Sequence, residues 1–233
     1  MKSLADIELD IAAILRTEWT RRQSEEVPDA DNVTLGNDAV ELDGVVLYAD
    51  LADSTALVLG HYDWFAAEIY KAYLRAACDL ITNNDGAITA FDGDRVMAVF
   101  VGKSKNTAAA RTALQLNYVV SNVINPVIKQ RYKDTAYQIQ QAVGIDCGKL
   151  FVAKTGIRGN NDLVWVGKSA NLAAKLCALR NGNYSSFITE DVYKNLHESA
   201  KLGGEAKLAM WEQVTWSERG VAIYRSSWWW KPD

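Results

Sequence analysis

Hydrophobic positions change period repeatedly along this chain, and each change predicts a change of element. Leu4, Ile7, Leu9, Ile11, Leu15 and Trp19 recur at helical spacing, which predicts a helix within residues 3–23. The stretch that follows, VPDADNVTLGNDAVELDG, is polar and reads as a link. The apolar run at 45–48 predicts a strand. Residues 54–83 follow a helical period and divide into two helices near 60–63. Residues 86–91 and 95–101 read as a hairpin around the Asp92-Gly93 turn. Helical spacing resumes over 105–133, with Pro126 marking a break. Strands are predicted at 137–146 and, past Gly148, at 147–153. A helix over 169–179, a short strand at 186–188, a short helix at 190–195 and strands within 207–230 complete the chain. Hairpins interspersed with helices predict an α+β domain rather than a purely parallel sheet. Residues 1–40 read as an N-terminal helical extension with its link, and 41–233 as the main domain.

Composition narrows the class. At 233 residues and 49% apolar, the chain is long enough for one packed domain with an extension. A net charge of -4 and no long Lys/Arg cluster exclude a nucleic-acid footprint. Three widely spaced cysteines have no metal-ligand spacing and predict reduced thiols in a cytoplasmic protein. Two histidines make a His-rich metal site improbable. No apolar run approaches the roughly 18 residues of a membrane span, and the start lacks a signal-peptide core. No membrane partner is expected. Trp228, Trp229 and Trp230 cannot all face one side of a regular element, so at least one is expected to pack on the N-terminal helix or on a partner chain.

Candidate chemistry lies where apolar runs meet carboxylates. In VVLYADLADST an apolar run ends in Asp50, and Asp53, Ser54 and Thr55 then open a helical pattern. In AFDGDRVMAVF, Gly93-Asp94 leads directly into a second apolar run. Two strand-edge carboxylates beside a helix start suit divalent ions and phosphates: the carboxylates hold the ions, and free N–H groups meet the anions. The plain alternative makes Asp50 a helix N-cap and Asp94 a turn residue. A haloacid-dehalogenase-type phosphatase would need Asp-x-Asp. Two residues separate Asp50 from Asp53, and Ala98 stands where a later carboxylate would be required.

Together with VWVGKSANLAAKL, these stretches resemble the class III nucleotidyl cyclase catalytic domain over about residues 42–224. The first metal motif is matched by Asp50-Leu51-Ala52-Asp53-Ser54-Thr55, and the second by Gly93-Asp94. The third is matched by Gly167-Lys168-Ser169-Ala170-Asn171-Leu172-Ala173-Ala174-Lys175. The lead-in LGNDAVELDGVVLYADLADST is similar to the bacterial pyrimidine cyclases of Pycsar anti-phage defence. The resemblance implies a ferredoxin-like βαββαβ core with a mixed or antiparallel sheet and flanking helices. It implies attack of a ribose 3′-hydroxyl on the α-phosphorus of a nucleoside triphosphate, assisted by two divalent ions, Mn²⁺ or Mg²⁺. Asp50, Asp94 and the Leu51 carbonyl would hold the ions. Ala52, Asp53, Ser54 and Thr55 would form the phosphate loop, with Asp53 capping the helix. Asn171 would orient the ribose and Lys175, in place of an Arg, would meet the α-phosphate. In the family that pair comes from the other subunit, which implies a homodimer with composite sites. Arg219 falls where family members carry a polyphosphate cation. A separate effector protein would respond to the cyclic product.

Base selection departs from purine cyclases. Ala90 and Val164 replace the polar residues that read a purine edge. Tyr48 and Arg95 add a hydroxyl and a cation beside the pocket, which suits a pyrimidine such as UTP or CTP; as plain alternatives, Tyr48 is a core aromatic and Arg95 a surface residue. An adenylate cyclase with an atypical pocket and a non-catalytic nucleotide-binding domain remain open at this point.

Overall fold

The computed structural model describes residues 2–179 and 182–232. The elements in order are α1 (Leu4–Arg16), β1 (Thr20–Gln23), β2 (Asp38–Leu51), α2 (Ser54–Gly60), α3 (Asp63–Asn83), β3 (Ala87–Asp92) and β4 (Arg95–Phe100). Next come α4 (Lys105–Val119), a π-helical turn (Val120–Ile124), α5 (Asn125–Arg131), β5 (Gln141–Ile157), β6 (Asn160–Val166) and α6 (Lys168–Cys177). The chain finishes with β7 (Ser186–Thr189), α7 (Glu190–Lys194), a 3₁₀ turn (Glu198–Ala200), β8 (Leu202–Gly203), β9 (Leu208–Ala209), β10 (Glu212–Trp216) and β11 (Val221–Ser226).

One sheet runs β10-β11-β7-β5-β2-β4-β3, with β1 added to β2 and β6 to β5. The β5-β2-β4-β3 segment, taken with α3 and α4, is the expected βαββαβ core. β2 pairs antiparallel with both β4 and β5, whereas β7 joins β5 in parallel, so the sheet is mixed. Alternation along β2 assigns its faces. Val45, Leu47, Ala49 and Leu51 join the core beneath α3 and α4 with Tyr73, Ile81 and Leu114. Val40, Leu42 and Val46 face the other way, with Met97, Val99, Leu150 and, from α6, Ala170 and Ala173. Gly144 lets α6 lie against β5: a Cβ there would meet the Ala173 carbonyl oxygen at 2.2 Å and the Cys177 nitrogen at 2.3 Å.

Three parts differ from the sequence expectation. The polar link contributes the first half of β2, because Glu41 and Asp43 project outward while Ala39, Val40 and Leu42 are buried. The predicted helix ends at Arg16, and residues 20–23 form β1, parallel to β2. The two predicted strands 137–146 and 147–153 merge into one continuous β5 that starts only at Gln141, residues 137–140 being irregular, and β6 was not anticipated. α1 buries none of its residues; Asn37 tethers its end through the carbonyls of Ile14 and Thr17. The aromatic tail packs on its own chain's core rather than on α1. The Trp230 N–H donates to the Leu114 carbonyl, and the Asn117 amide donates to the carbonyls of Ser227 and Trp228.

Candidate active site

The carboxylates predicted to matter meet at one end of β2. Asp50 pairs directly with Arg95, the first residue of β4, and Arg95 Nη2 lies 3.6 Å from Asp50 Oδ2. Asp50 is therefore a buried strand residue, not a helix cap. Asp94 precedes Arg95 in the β3–β4 turn, where Gly93 takes φ +61°. One oxygen of Asp94, Oδ2, is buried with no hydrogen-bond partner. A buried carboxylate oxygen without a donor is costly unless a cation or water meets it, so the site fits a hard divalent ion. Among the described residues no group of three or more His, Cys, Asp or Glu could hold a metal. The protein's share would be the Asp50 and Asp94 carboxylates with the Leu51 carbonyl, as expected of an ion that also takes ligands from substrate phosphates.

Tyr48 and Arg95 share the face of the sheet that carries Asp50. Met97 opposes Tyr48, and the Arg95 guanidinium lies 6.0 Å from the Tyr48 ring centre. Burial raises the Tyr48 hydroxyl pKa, with Arg95 acting in the opposite sense, so this phenol is a neutral donor. Burial is the largest single influence on the Arg95 charge and works against it, but Asp50, Cys177 and Asp92 together outweigh it and the guanidinium pKa is raised. Ala90 lies half-buried at a register shift of β3, opposite Met97.

The loop after Asp50 differs from expectation in two ways. The Ala52 N–H already donates to the Gln140 carbonyl at 2.7 Å, so Ala52 offers no N–H to a phosphate. Asp53 occupies the N-cap position of α2 in left-handed backbone, φ +56°, and its side chain makes no capping bond. Its carboxylate is exposed beside Ser54 and Thr55. Sequence reasoning missed Tyr137. It lines a cavity of about 300 Å³ with Ala52, Asp53 and His61. Burial, then Tyr70, Asp94 and Asp53, push its pKa up to about 12. It sits in irregular backbone ahead of β5, although the alternation of 137–146 predicts a strand there, and a strand reading does not point to a pocket residue.

The remaining predicted residues lie elsewhere in the chain. Asn171 and Lys175 are one turn apart on the exposed side of α6, opposite its buried stripe of Ala170, Ala173, Leu176 and Cys177. Val164 pairs with Ala153, far along β5 from Ala142, the residue opposite Asp50. Arg219 lies in the β10–β11 turn, its guanidinium 5.1 Å from the Trp216 ring centre. Three strands, β11, β7 and β5, separate β10 from β2 in the sheet order, so Arg219 does not join Asp50 within one chain.

No family model matches the chain. It is 49% identical over 217 residues to a uridylate cyclase from Xanthomonas perforans, covering 92% of each protein. The chain belongs to the uridylate cyclase family. A uridylate cyclase from Rhodovulum sp. is 38% identical over 232 residues, 97% of each protein, and one from Burkholderia cepacia is 43% identical over 214 residues, 91% of each. Among solved structures, the adenylyl cyclase CyaB from P. aeruginosa superimposes with a TM-score of 0.65 at 19% identity, covering 81% of this chain and 95% of that one. The guanylyl cyclase Cya2 gives 0.67 at 17% identity, covering 82% and 95%. These two share its fold: the class III cyclase architecture expected from the motifs is the architecture of this uridylate cyclase family member.

Proposed function

We propose that this chain converts UTP, or CTP, to the 3′,5′-cyclic monophosphate and pyrophosphate. The observation that carries the reading is the end of β2. A buried Asp50, the unpartnered Asp94 oxygen and the Tyr48–Arg95 pair adjoin one another there. The names of its relatives favour the uridine nucleotide.

Asp50, Asp94 and the Leu51 carbonyl would hold two Mn²⁺ or Mg²⁺ ions. Such ions, when bound, lower the pKa of the ribose 3′-hydroxyl and offset the charge of departing pyrophosphate. Ser54 and Thr55 supply hydroxyls and N–H groups to the phosphates, and the Asp53 carboxylate stays turned to solvent. Tyr48 donates its O–H, and Arg95 its N–H groups, to the carbonyl oxygens of a pyrimidine. Ala90 and Val164 leave a purine's polar edge without partners, a strong basis for rejection.

Asn171 orients the ribose, and Lys175 meets the α-phosphate as charge develops. Both project away from their own sheet, which supports a homodimer in which each site borrows them from the other copy. Arg219 would reach the polyphosphate in the same assembly. An equimolar mixture of Asp50→Asn and Lys175→Ala chains is then expected to recover about a quarter of wild-type turnover, because a heterodimer retains one intact site. Recovery no greater than the two variants' summed activity counts against shared sites. The resemblance to Pycsar cyclases supports a cytoplasmic role in anti-phage defence, with the product read by a separate effector protein.

The deciding experiment follows pyrophosphate release and product mass with ATP, GTP, CTP and UTP separately, in Mn²⁺. A cyclic pyrimidine product that Asp50→Asn abolishes is expected. Cyclic AMP as the dominant product overturns the base assignment. Nucleotide binding without pyrophosphate release overturns catalysis.

A further inference from the structure

Arg95 stands against Asp50, one of the two carboxylates proposed to hold the metal. Its guanidinium is 3.6 Å from Asp50 Oδ2, and the two side chains are 34% and 12% exposed. The pairing is fixed by register, since the two residues face each other across β2 and β4. Removing one partner of a buried ion pair is destabilising, so this cation contributes to balancing the Asp50 charge without a metal. Yet the guanidinium is incompletely satisfied there: its Nε is buried and has no hydrogen-bond partner. On the other side of the turn residue, Asp94 keeps its own Oδ2 buried without a donor. Arg95 thus neutralises one carboxylate of the pair and leaves the other for a cation. It also has a second position within reach. The Tyr48 ring lies 6.0 Å away on the nucleotide side, and Asp92 faces Arg95 across the β3–β4 hairpin.

We infer that Arg95 is a resident counter-ion of Asp50 that a divalent cation must displace, so that metal entry frees the guanidinium to engage the nucleotide. The inference rests on the metal role proposed for Asp50 and Asp94. Its physical basis is repulsion: a dication and a guanidinium cannot both sit within a few ångströms of one carboxylate oxygen without strong mutual repulsion in a partly buried site. Binding of metal and release of Arg95 are consequently one event. The base-reading group becomes available only when the phosphate-binding charge is in place.

Mn²⁺ binding without nucleotide, followed by electron paramagnetic resonance of the free ion, tests this. The proteins are wild type, Arg95→Met, Arg95→Lys and Asp94→Asn. Arg95→Met removes the charge and is expected to bind Mn²⁺ roughly ten-fold more tightly than wild type. Arg95→Lys, which keeps the charge, is expected to stay within about two-fold of wild type. Equal or weaker Mn²⁺ binding by a folded Arg95→Met overturns the inference. Should that variant fail to fold, the Arg95 Nε–H resonance of wild type during a Mg²⁺ titration decides: a shift that saturates with the metal supports displacement, and an unmoved resonance at saturation overturns it. Asp94→Asn separates the two levels. Binding by wild type that Asp94→Asn abolishes upholds the metal site whatever Arg95 does, whereas no binding by wild type removes the metal role and this inference with it.

Discussion

The two faces of β2 are built from alternate residues of one strand, and they are built differently. On the α3–α4 face, Val45, Leu47, Ala49 and Leu51 are all sealed in a dense apolar core. On the opposite face polarity rises along the strand, from buried Val46 through half-buried Tyr48 to Asp50 with its arginine. α6 packs on that face, with Ala173 and Cys177 against Gly144, the residue opposite Tyr48. A period of two therefore lets one strand hold the domain together and present chemistry, with neither set of side chains intruding on the other.

The comparison breaks if stability and turnover cannot be separated by face. The largest separation is expected from Asp50→Asn. Turnover should fall at least about a thousand-fold, while thermal melting shows the fold retained. Next comes Leu47→Ala, one residue from Tyr48 but on the sealed face. It should cost about 3 kcal/mol of unfolding free energy, measured by urea titration, with turnover per folded molecule nearly unchanged. A large turnover defect in folded Leu47→Ala would sink the division of labour.

Gly144→Ala sharpens the comparison, because it acts through α6. The added Cβ must push the helix carrying Asn171 and Lys175 away from β5. A loss of about 2 kcal/mol in stability is expected, with a roughly ten-fold fall in turnover. A stability loss with unchanged turnover would mean that α6 placement is loose.

The smallest effect concerns Asp146, buried opposite Val46 on the chemical face. Burial raises its carboxyl pKa above 3.8, although the Thr189 hydroxyl donates to it at 2.6 Å. A carboxyl raised in the folded state favours folding below its unfolded pKa, and that contribution disappears as pH rises through the folded value. Relative to Asp146→Asn, wild type should lose stability as pH rises from below 3.8 through the raised value, by no more than about 1 kcal/mol. Melting curves of both proteins across that range check it; a constant difference would show that the buried charge carries no penalty.

Much of this arrangement is legible in the sequence, and the unread parts share physical causes. The break at Asp50, the Asp92-Gly93 turn and the interruption between α2 and α3 are local signals, and the structure realises all three. β1 is unreadable because Thr20, Arg21, Arg22 and Gln23 are all exposed; its backbone pairing with β2 makes it a strand. The first three residues of β6, Asn160, Asn161 and Asp162, are polar, and its partner is supplied by β5. The Ala52 N–H is lost to Gln140, a contact between segments far apart in sequence. Asp53 looks like a cap by residue type, but its left-handed backbone leaves the side chain without a capping bond. Spacing could suggest which residues share a site, but only register revealed that Arg95 stands against Asp50.

The C-terminal tail gives the molecule an optical gauge of its own. Trp230 lies under the Arg111 guanidinium, 5.0 Å from ring centre to charge, and Trp229 lies against Tyr118 at 5.2 Å. Trp229 is already exposed, but peeling the tail from α4 would move the half-buried indoles of Trp228 and Trp230 into water and redden their emission, while circular dichroism of the sheet stayed constant. Fluorescence and dichroism, recorded on one sample, would thereby time the loss of the clasp separately from the collapse of the fold, with no label attached.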